Sequence, residues 1–88
     1  MEIKIIYLPR AQADLDYWKK SGNKGIQQRI SKLILSILET PFEGIGKPEA
    51  LKYQYTGWWS RRMNEEHRLV YRVEEGKIII AQMRFHYQ

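Results

Sequence analysis

His86 lies inside the run Arg84-Phe85-His86-Tyr87 near the end of an 88-residue chain. Chain ends usually fray and carry little chemistry. This one directly continues the apolar run Lys77-Ile78-Ile79-Ile80-Ala81-Gln82-Met83, which has the length and β-branched content of a strand. A histidine locked at a strand end, beside an arginine and a tyrosine, can donate a proton near neutral pH, where imidazole changes its charge. Such a donor is useful only with a base, an anion clamp and a surface for the substrate.

The residues at hand outline RNA cleavage without a metal. A base takes the proton of a ribose 2′-hydroxyl, the oxygen attacks the adjacent phosphorus, and an acid protonates the leaving 5′-oxygen. The charge that builds on the phosphoryl oxygens calls for a fixed cation, best an arginine fork. Glu49 is a candidate base, at the end of a loop that could carry it over a sheet. Taken alone it reads more simply as a solvated carboxylate paired with Lys47 or Lys52. Arg68 and Arg84 are candidate phosphate ligands, and Arg61, Arg62, Arg72, Lys47 and Lys52 candidates for more distant RNA backbone. Each cation singly is explained as well by a solvated face or a weak surface ion pair; their gathering around one histidine raises the functional reading to parity. His67, the only other histidine, opens a strand and reads as a packed or hairpin-end residue. Two histidines without spaced acidic partners make no metal site. Gly44-Ile45-Gly46 lacks the rest of a phosphate-cradling loop, and no cofactor motif is present.

Composition bounds the partners. The chain is long enough for one domain, residues 1–88, with one small core. It has no cysteine, which excludes disulfides and thiolate catalysis. A net charge of +5 favours a polyanionic partner. Seven of the eleven aromatic residues lie in the second half, interleaved with cations, a mixture that suits single-stranded nucleic acid because phosphates attract cations and unstacked bases attract flat rings. A basic protein with a generous aromatic core has the same composition. No signal peptide or membrane span is visible, so a cytoplasmic protein is expected.

These residues need a frame to position them. Glu2–Tyr7 alternates as a strand, and Pro9 suits a first helical position. Leu8, Ala11, Leu15 and Trp18 recur at helical spacing until Ser21-Gly22. Asn23 is a plausible N-cap for a second helix with the stripe Ile26, Ile30, Leu33, Ile34, Ile37, Leu38, which Thr40-Pro41 ends. After a Gly/Pro loop, Leu51–Tyr55, Trp58–Met63, His67–Val73 and Lys77–Phe85 read as strands joined by hairpin turns. The expected plan is β-α-α-β-β-β-β, an α+β domain with both helices on one face of a mainly antiparallel twisted sheet. In the last strand, alternation sets Ile79, Ala81, Met83 and Phe85 toward the helices. It sets Ile78, Ile80, Gln82, Arg84 and His86 on the open face, where Arg84 and His86 would converge with Arg68. Of Trp58 and Trp59, one ring should be buried and the other exposed.

Thr40-Pro41-Phe42-Glu43-Gly44-Ile45-Gly46-Lys47-Pro48-Glu49, Leu51-Lys52, Gly57-Trp58-Trp59-Ser60-Arg61-Arg62, Glu65-Glu66-His67-Arg68-Leu69-Val70-Tyr71 and Arg84-Phe85-His86-Tyr87 together resemble the YoeB/Txe toxins of the RelE superfamily. Their order and spacing match over nearly the whole chain. The resemblance implies a RelE-like fold and a type II toxin–antitoxin endoribonuclease, an mRNA interferase. Such an enzyme cuts mRNA in the A site of the 70S ribosome, inhibits translation and is neutralised by a YefM-like antitoxin. It also allows a homodimer. Residue by residue, it implies Glu49 as general base, Arg68 as phosphate-stabilising arginine, His86 as general acid and Tyr87 as substrate-orienting tyrosine. Phe85 stands where the family commonly has tyrosine, and Gln88 extends past the usual terminal tyrosine. Two other classes fit the same basic surface: an RNA-binding module without catalysis, and a module that binds an acidic peptide.

Overall fold

The computed structural model describes residues 2–86. In chain order it comprises β1 (Lys4–Tyr7), α1 (Pro9–Ser21), α2 (Lys24–Glu39), β2 (Glu49–Ala50), a single 3₁₀ turn (Tyr53–Tyr55), β3 (Trp59–Arg62), β4 (Arg68–Glu74) and β5 (Lys77–Gln82). The five strands form one sheet in the order β1-β5-β4-β3-β2. β1 runs parallel to β5, and the remaining pairs are antiparallel. This is the α+β plan expected from the sequence.

The helices begin and end where local chemistry dictates. Leu8 is extended and Pro9 opens α1, where its missing N–H removes nothing. Gly22 closes α1 at φ 73°, a left-handed conformation that suits a residue without Cβ. Asn23 caps α2, its Oδ1 accepting the Ile26 N–H at 3.0 Å. On α2 the buried residues are Ile26, Ile30, Leu33 and Ile37, spaced to form one stripe. They pack with Trp18, Leu69, Tyr71, Ile78, Ile80 and Met83 in one continuous core. Each buried Ile or Leu contributes about 1.5–3 kcal/mol of apolar burial. Leu33 is at 0% exposure, and its truncation to Ala should open a cavity costing about 2–5 kcal/mol. No helix among the described residues is long and apolar enough to cross a membrane.

The sheet departs from the expected strands in two places. Leu51–Tyr55 is not a strand: only Glu49 and Ala50 pair with β3. The Leu51 N–H still reaches the Trp58 carbonyl at 2.9 Å, but Tyr53 takes φ 58° and the chain turns away. The second departure lies in β5. Val70 pairs with Gln82 while Tyr71 pairs with Ile80, so Ala81 is an extra residue in a β-bulge. Before the bulge the expected phase is inverted: Ile78 and Ile80, not Ile79 and Ala81, are buried against the helices. The bulge then returns Gln82 to the side of Val70 and sets Met83 in the core, re-aiming the chain beyond it. The expected continuation of the strand to Phe85 fails as well. Regular pairing ends at Gln82, because the Met83 backbone is bound by α1 side chains instead. Asp14 Oδ2 accepts the Met83 N–H at 3.0 Å, and Trp18 Nε1 donates to its carbonyl at 2.7 Å.

Candidate active site

Paired residues of neighbouring strands share a sheet face. Glu49 pairs with Ser60, Ser60 with Val70, Val70 with Gln82, and Arg62 with Arg68. Ser60 and Arg62, like Arg68 and Val70, are two residues apart, so all of these lie on the face opposite the helices. At the His86 end of that face is a cleft of about 220 Å³ lined by Lys47, Glu49, Ser60, Arg62, Arg68 and His86. A larger hollow of about 360 Å³ adjoins it, lined by Glu49, Lys52, Tyr53 and their neighbours. The smaller cleft holds the acid, base and cation types together, and it is the better candidate for chemistry.

Each lining side chain is presented by a definite local device. Arg68 Nη1 donates to the carbonyls of Asn64 (2.7 Å), His67 (3.1 Å) and Glu65 (3.2 Å). The turn supplying them is itself fixed, since Asn64 Oδ1 accepts the N–H groups of Glu66 and His67, an Asx-type arrangement. Arg62 donates its backbone N–H to Gly46 at 2.7 Å, which draws the Lys47–Glu49 segment against β3. Gly46 sits at φ 82°, where an added Cβ would lie 2.8 Å from Leu33 Cδ2; only glycine allows that approach. Glu49 is exposed and, among the described residues, is in no ion pair. The expected alternative of a carboxylate paired with Lys47 or Lys52 is thus not what the structure has. His86 is exposed, on a turn whose three carbonyls, of Arg84, Phe85 and His86, accept from Gln82 Nε2.

Two of the anticipated cations are placed elsewhere. Arg61 is fully buried and cannot contact RNA backbone. Its five N–H groups meet Tyr71 Oη, Ser36 Oγ and the carbonyls of Ile45, Thr40 and Glu43, at 2.5–3.2 Å. Alternation explains this: Arg61 lies between Ser60 and Arg62 on β3 and so faces the helices. There it ties down the loop leading to Lys47 and Glu49. Tyr71 Oη passes a further bond to the Pro41 carbonyl at 2.6 Å. Burial pushes the Tyr71 phenol up from its ordinary value, an effect that the Arg61 bond and charge partly offset. Arg84 does not converge with Arg68 and His86. Its guanidinium lies 3.5 Å from the Tyr17 ring centroid and 4.5 Å from that of Phe85, a cation–π stack toward α1. Phe85, expected to face the helices, is half exposed at φ 64°. Trp58 and Trp59 are both half-buried rather than split: Trp58 lies under the Arg72 guanidinium and Trp59 against Phe42.

Lys52 is exposed beside the cleft rather than in it. Tyr87, the expected substrate-orienting residue, lies outside the described residues. Among the described residues no three His, Asp or Glu side chains gather as a metal site would require. Sequence reasoning overlooked Ser60 in the cleft wall, and Asp14, Trp18 and Gln82 beneath it. Asp14 carried a usable signal, being a carboxylate on the apolar stripe of α1 between Ala11 and Trp18.

Comparison with known proteins agrees with this frame. The model of the YoeB-like toxin of bacterial type II toxin–antitoxin systems matches residues 7–87. Toxin YoeB of Escherichia coli K12 is 46% identical over 85 residues, spanning 97% of this chain and all of that protein. The Staphylococcus aureus YoeB dimer superposes with a TM-score of 0.90 at 42% identity, over 99% of this chain and all of the other. The S. aureus YoeB–YefM complex gives 0.88 at 43% identity, with the same shares covered.

Proposed function

The chain belongs to the YoeB-like toxins of bacterial type II toxin–antitoxin systems, and from that premise we propose that it is a ribosome-dependent mRNA endoribonuclease working by general acid–base chemistry. The observation that carries the reading is one cleft shared by a carboxylate, an arginine and a histidine, flanked by two further cations.

Glu49 removes the proton of a ribose 2′-hydroxyl, and the 2′-oxygen attacks the adjacent phosphorus. The bond from phosphorus to the 5′-oxygen breaks as His86 protonates that oxygen, leaving a 2′,3′-cyclic phosphate and a free 5′-hydroxyl. Arg68 stabilises the negative charge on the phosphoryl oxygens. With Nη1 committed to turn carbonyls, its Nε and Nη2 edge is left for the phosphate. Lys47 and Arg62 neutralise flanking phosphates, and Lys52 extends the cationic track past Glu49. The Tyr53 ring, 86% exposed in the adjoining hollow, offers a face on which an unstacked base can lie. Tyr87 orients the substrate, on the strength of the family motif alone. The S. aureus relative is found with YefM, and a YefM-like antitoxin is the natural partner here: an acidic segment laid over the cationic cleft would exclude mRNA.

The test is cleavage of mRNA on programmed 70S ribosomes, mapped by primer extension. His86→Ala should lose cleavage while still binding ribosomes. Undiminished cutting by that variant refutes the acid assignment. Ribosome binding without cutting by the wild type leaves a non-catalytic RNA-binding module.

A further inference from the structure

His67 is 9% exposed and takes no part in the proposed chemistry. Its ring stands edge-on to Trp18, with centroids 5.0 Å apart. Its Nδ1 lies 2.8 Å from the backbone nitrogen of Phe85. A backbone N–H can only donate, so Nδ1 is the acceptor of this bond. Phe85 is held at φ 64°, a left-handed conformation costing a non-glycine residue about 1–2 kcal/mol. Other contacts fix the same short segment. The Arg68 N–H donates to the Phe85 carbonyl at 2.9 Å. Gln82 Nε2 is within 2.7 Å of the Arg84 carbonyl and 2.6 Å of the His86 carbonyl. One residue earlier, Asp14 and Trp18 hold both backbone groups of Met83.

We propose that His67 is a positioning residue for the general acid: by accepting the Phe85 N–H on Nδ1 it fixes, with Gln82, the strained turn that presents His86 to the cleft. The inference rests on the reading of His86 as the acid. Beyond β5 the tail keeps one backbone bond to a strand, from the Arg68 N–H to the Phe85 carbonyl, and side-chain bonds replace the rest of the ladder. Without the Nδ1 acceptor, the Phe85 N–H is left unsatisfied in a conformation that is already unfavourable. The segment then relaxes toward φ < 0 and His86 leaves its place. A displacement of about 1 Å at a reacting group costs about 10²-fold in rate. Substrate binding, carried by Lys47, Arg62 and Arg68, is unaffected.

Two substitutions separate positioning from packing. His67→Phe keeps the ring on Trp18 and removes the acceptor. His67→Asn loses the ring but sets an amide oxygen where Nδ1 stood. Positioning predicts a fall in kcat of about 10²-fold for His67→Phe, an unchanged KM, and a substantial recovery of kcat in His67→Asn. A merely structural ring predicts the opposite order, so a His67→Phe enzyme as active as His67→Asn, or more so, overturns the inference. Folding of each is checked by circular dichroism. Should His67→Phe not fold, Gln82→Met decides: it keeps the side-chain size, removes the donors, and a wild-type kcat in it overturns the inference. His86→Ala is run in parallel. If it is inactive while the His67 variants fall in the wrong order, the positioning role alone fails; if it is fully active, the acid assignment fails and the positioning role with it.

Discussion

The Arg68 backbone N–H donates to the carbonyl of Phe85 at 2.9 Å, so the proposed phosphate clamp and the residue preceding the proposed acid are joined through main chain. The spacing between Arg68 and His86 is therefore set by backbone and not by either side chain. A substitution at Arg68 can remove the guanidinium and leave the tail in place.

Arg68→Lys uses that separation. The variant keeps the N–H to Phe85 but loses the planar fork and the three bonds from Nη1. A single ammonium cannot both bond the turn carbonyls and meet two phosphoryl oxygens. We expect kcat to fall by about 10²–10³-fold, the usual cost of removing one transition-state donor, with unchanged thermal stability. Single-turnover cleavage on ribosomes measures it; a wild-type rate would show that Arg68 is not the clamp.

Glu49→Gln preserves shape and hydrogen-bonding reach while removing the base. Glu49 is exposed and forms no ion pair among the described residues, so no structural loss is expected. Cleavage should slow by about 10²–10⁴-fold, the range for general acid–base groups. An unaltered rate at neutral pH returns Glu49 to the role of surface carboxylate.

The element order and both helix boundaries were legible in the sequence; of the cations expected to converge on His86, Arg68 lines its cleft and Arg84 does not, and Glu49 was linked to them by the family resemblance. Pro9, Asn23 and Gly22 act through local chemistry, and strand alternation carries Arg62 and Arg68 to one face. The misplaced residues of β5 and the tail share a cause, namely that strand parity was extended past the point where the strand is regular. The bulge at Ala81 inverts β5, so Ile78 and Ile80 are core, while Gln82 is nonetheless on the expected side. Beyond Gln82, Arg84 goes to Tyr17 and Phe85 to solvent, because the tail follows side-chain bonds from α1 and His67 and the single Arg68–Phe85 backbone bond instead of a regular ladder. A bulge depends on the register of two strands and has no signature in one. Arg61 was misread for another reason: charge suggested surface, although its own alternation with Ser60 and Arg62 pointed inward.

Tyr53 tests the substrate surface. An 86% exposed tyrosine held at φ 58°, with its carbonyl bonded by Thr56 Oγ1 at 2.6 Å, is costly to maintain without a purpose. If its ring stacks on a base, Tyr53→Ala should weaken substrate binding by about 1–3 kcal/mol, seen as a raised KM with kcat nearly intact. Tyr53→Phe should retain the wild-type KM. Equal KM values for all three proteins would remove Tyr53 from the interface.

Tyr71 predicts an alkaline limit to stability. Burial raises its folded-state pKa above the ordinary 10.0, so in alkali the unfolded chain releases this proton before the folded one does. The corresponding stability is therefore complete below about pH 10 and is lost as pH climbs through the folded value. Tyr7 is raised by burial too. The melting temperature should fall above pH 10, less steeply in Tyr71→Phe than in the wild type, with the Tyr7 contribution remaining. Identical slopes would mean that Tyr71 ionises as freely in the folded chain as in the unfolded one.

Arg61 makes the strongest prediction for stability, and it links the core to the cleft. A buried guanidinium without a carboxylate is tolerated here because all five donors are satisfied by neutral acceptors. Arg61→Met fills similar space and removes a desolvated charge, which lowers the cost of burial. It also leaves the Ile45 carbonyl without its donor and takes one donor each from the Thr40 and Glu43 carbonyls, which keep the Glu43 N–H and the Thr40 hydroxyl, at about 1–3 kcal/mol for an acceptor that water cannot reach. Gly44 and Gly46 hold the same loop close to Arg61, which limits water entry, so the acceptor losses should win. We expect destabilisation of about 1–3 kcal/mol, read as a lower urea midpoint with an unchanged slope. Because that loop carries Lys47 and Glu49, cleavage should fall even at temperatures where Arg61→Met is fully folded. A variant as stable and as active as wild type would mean that the loop is held by its glycines and by the Arg62–Gly46 bond alone.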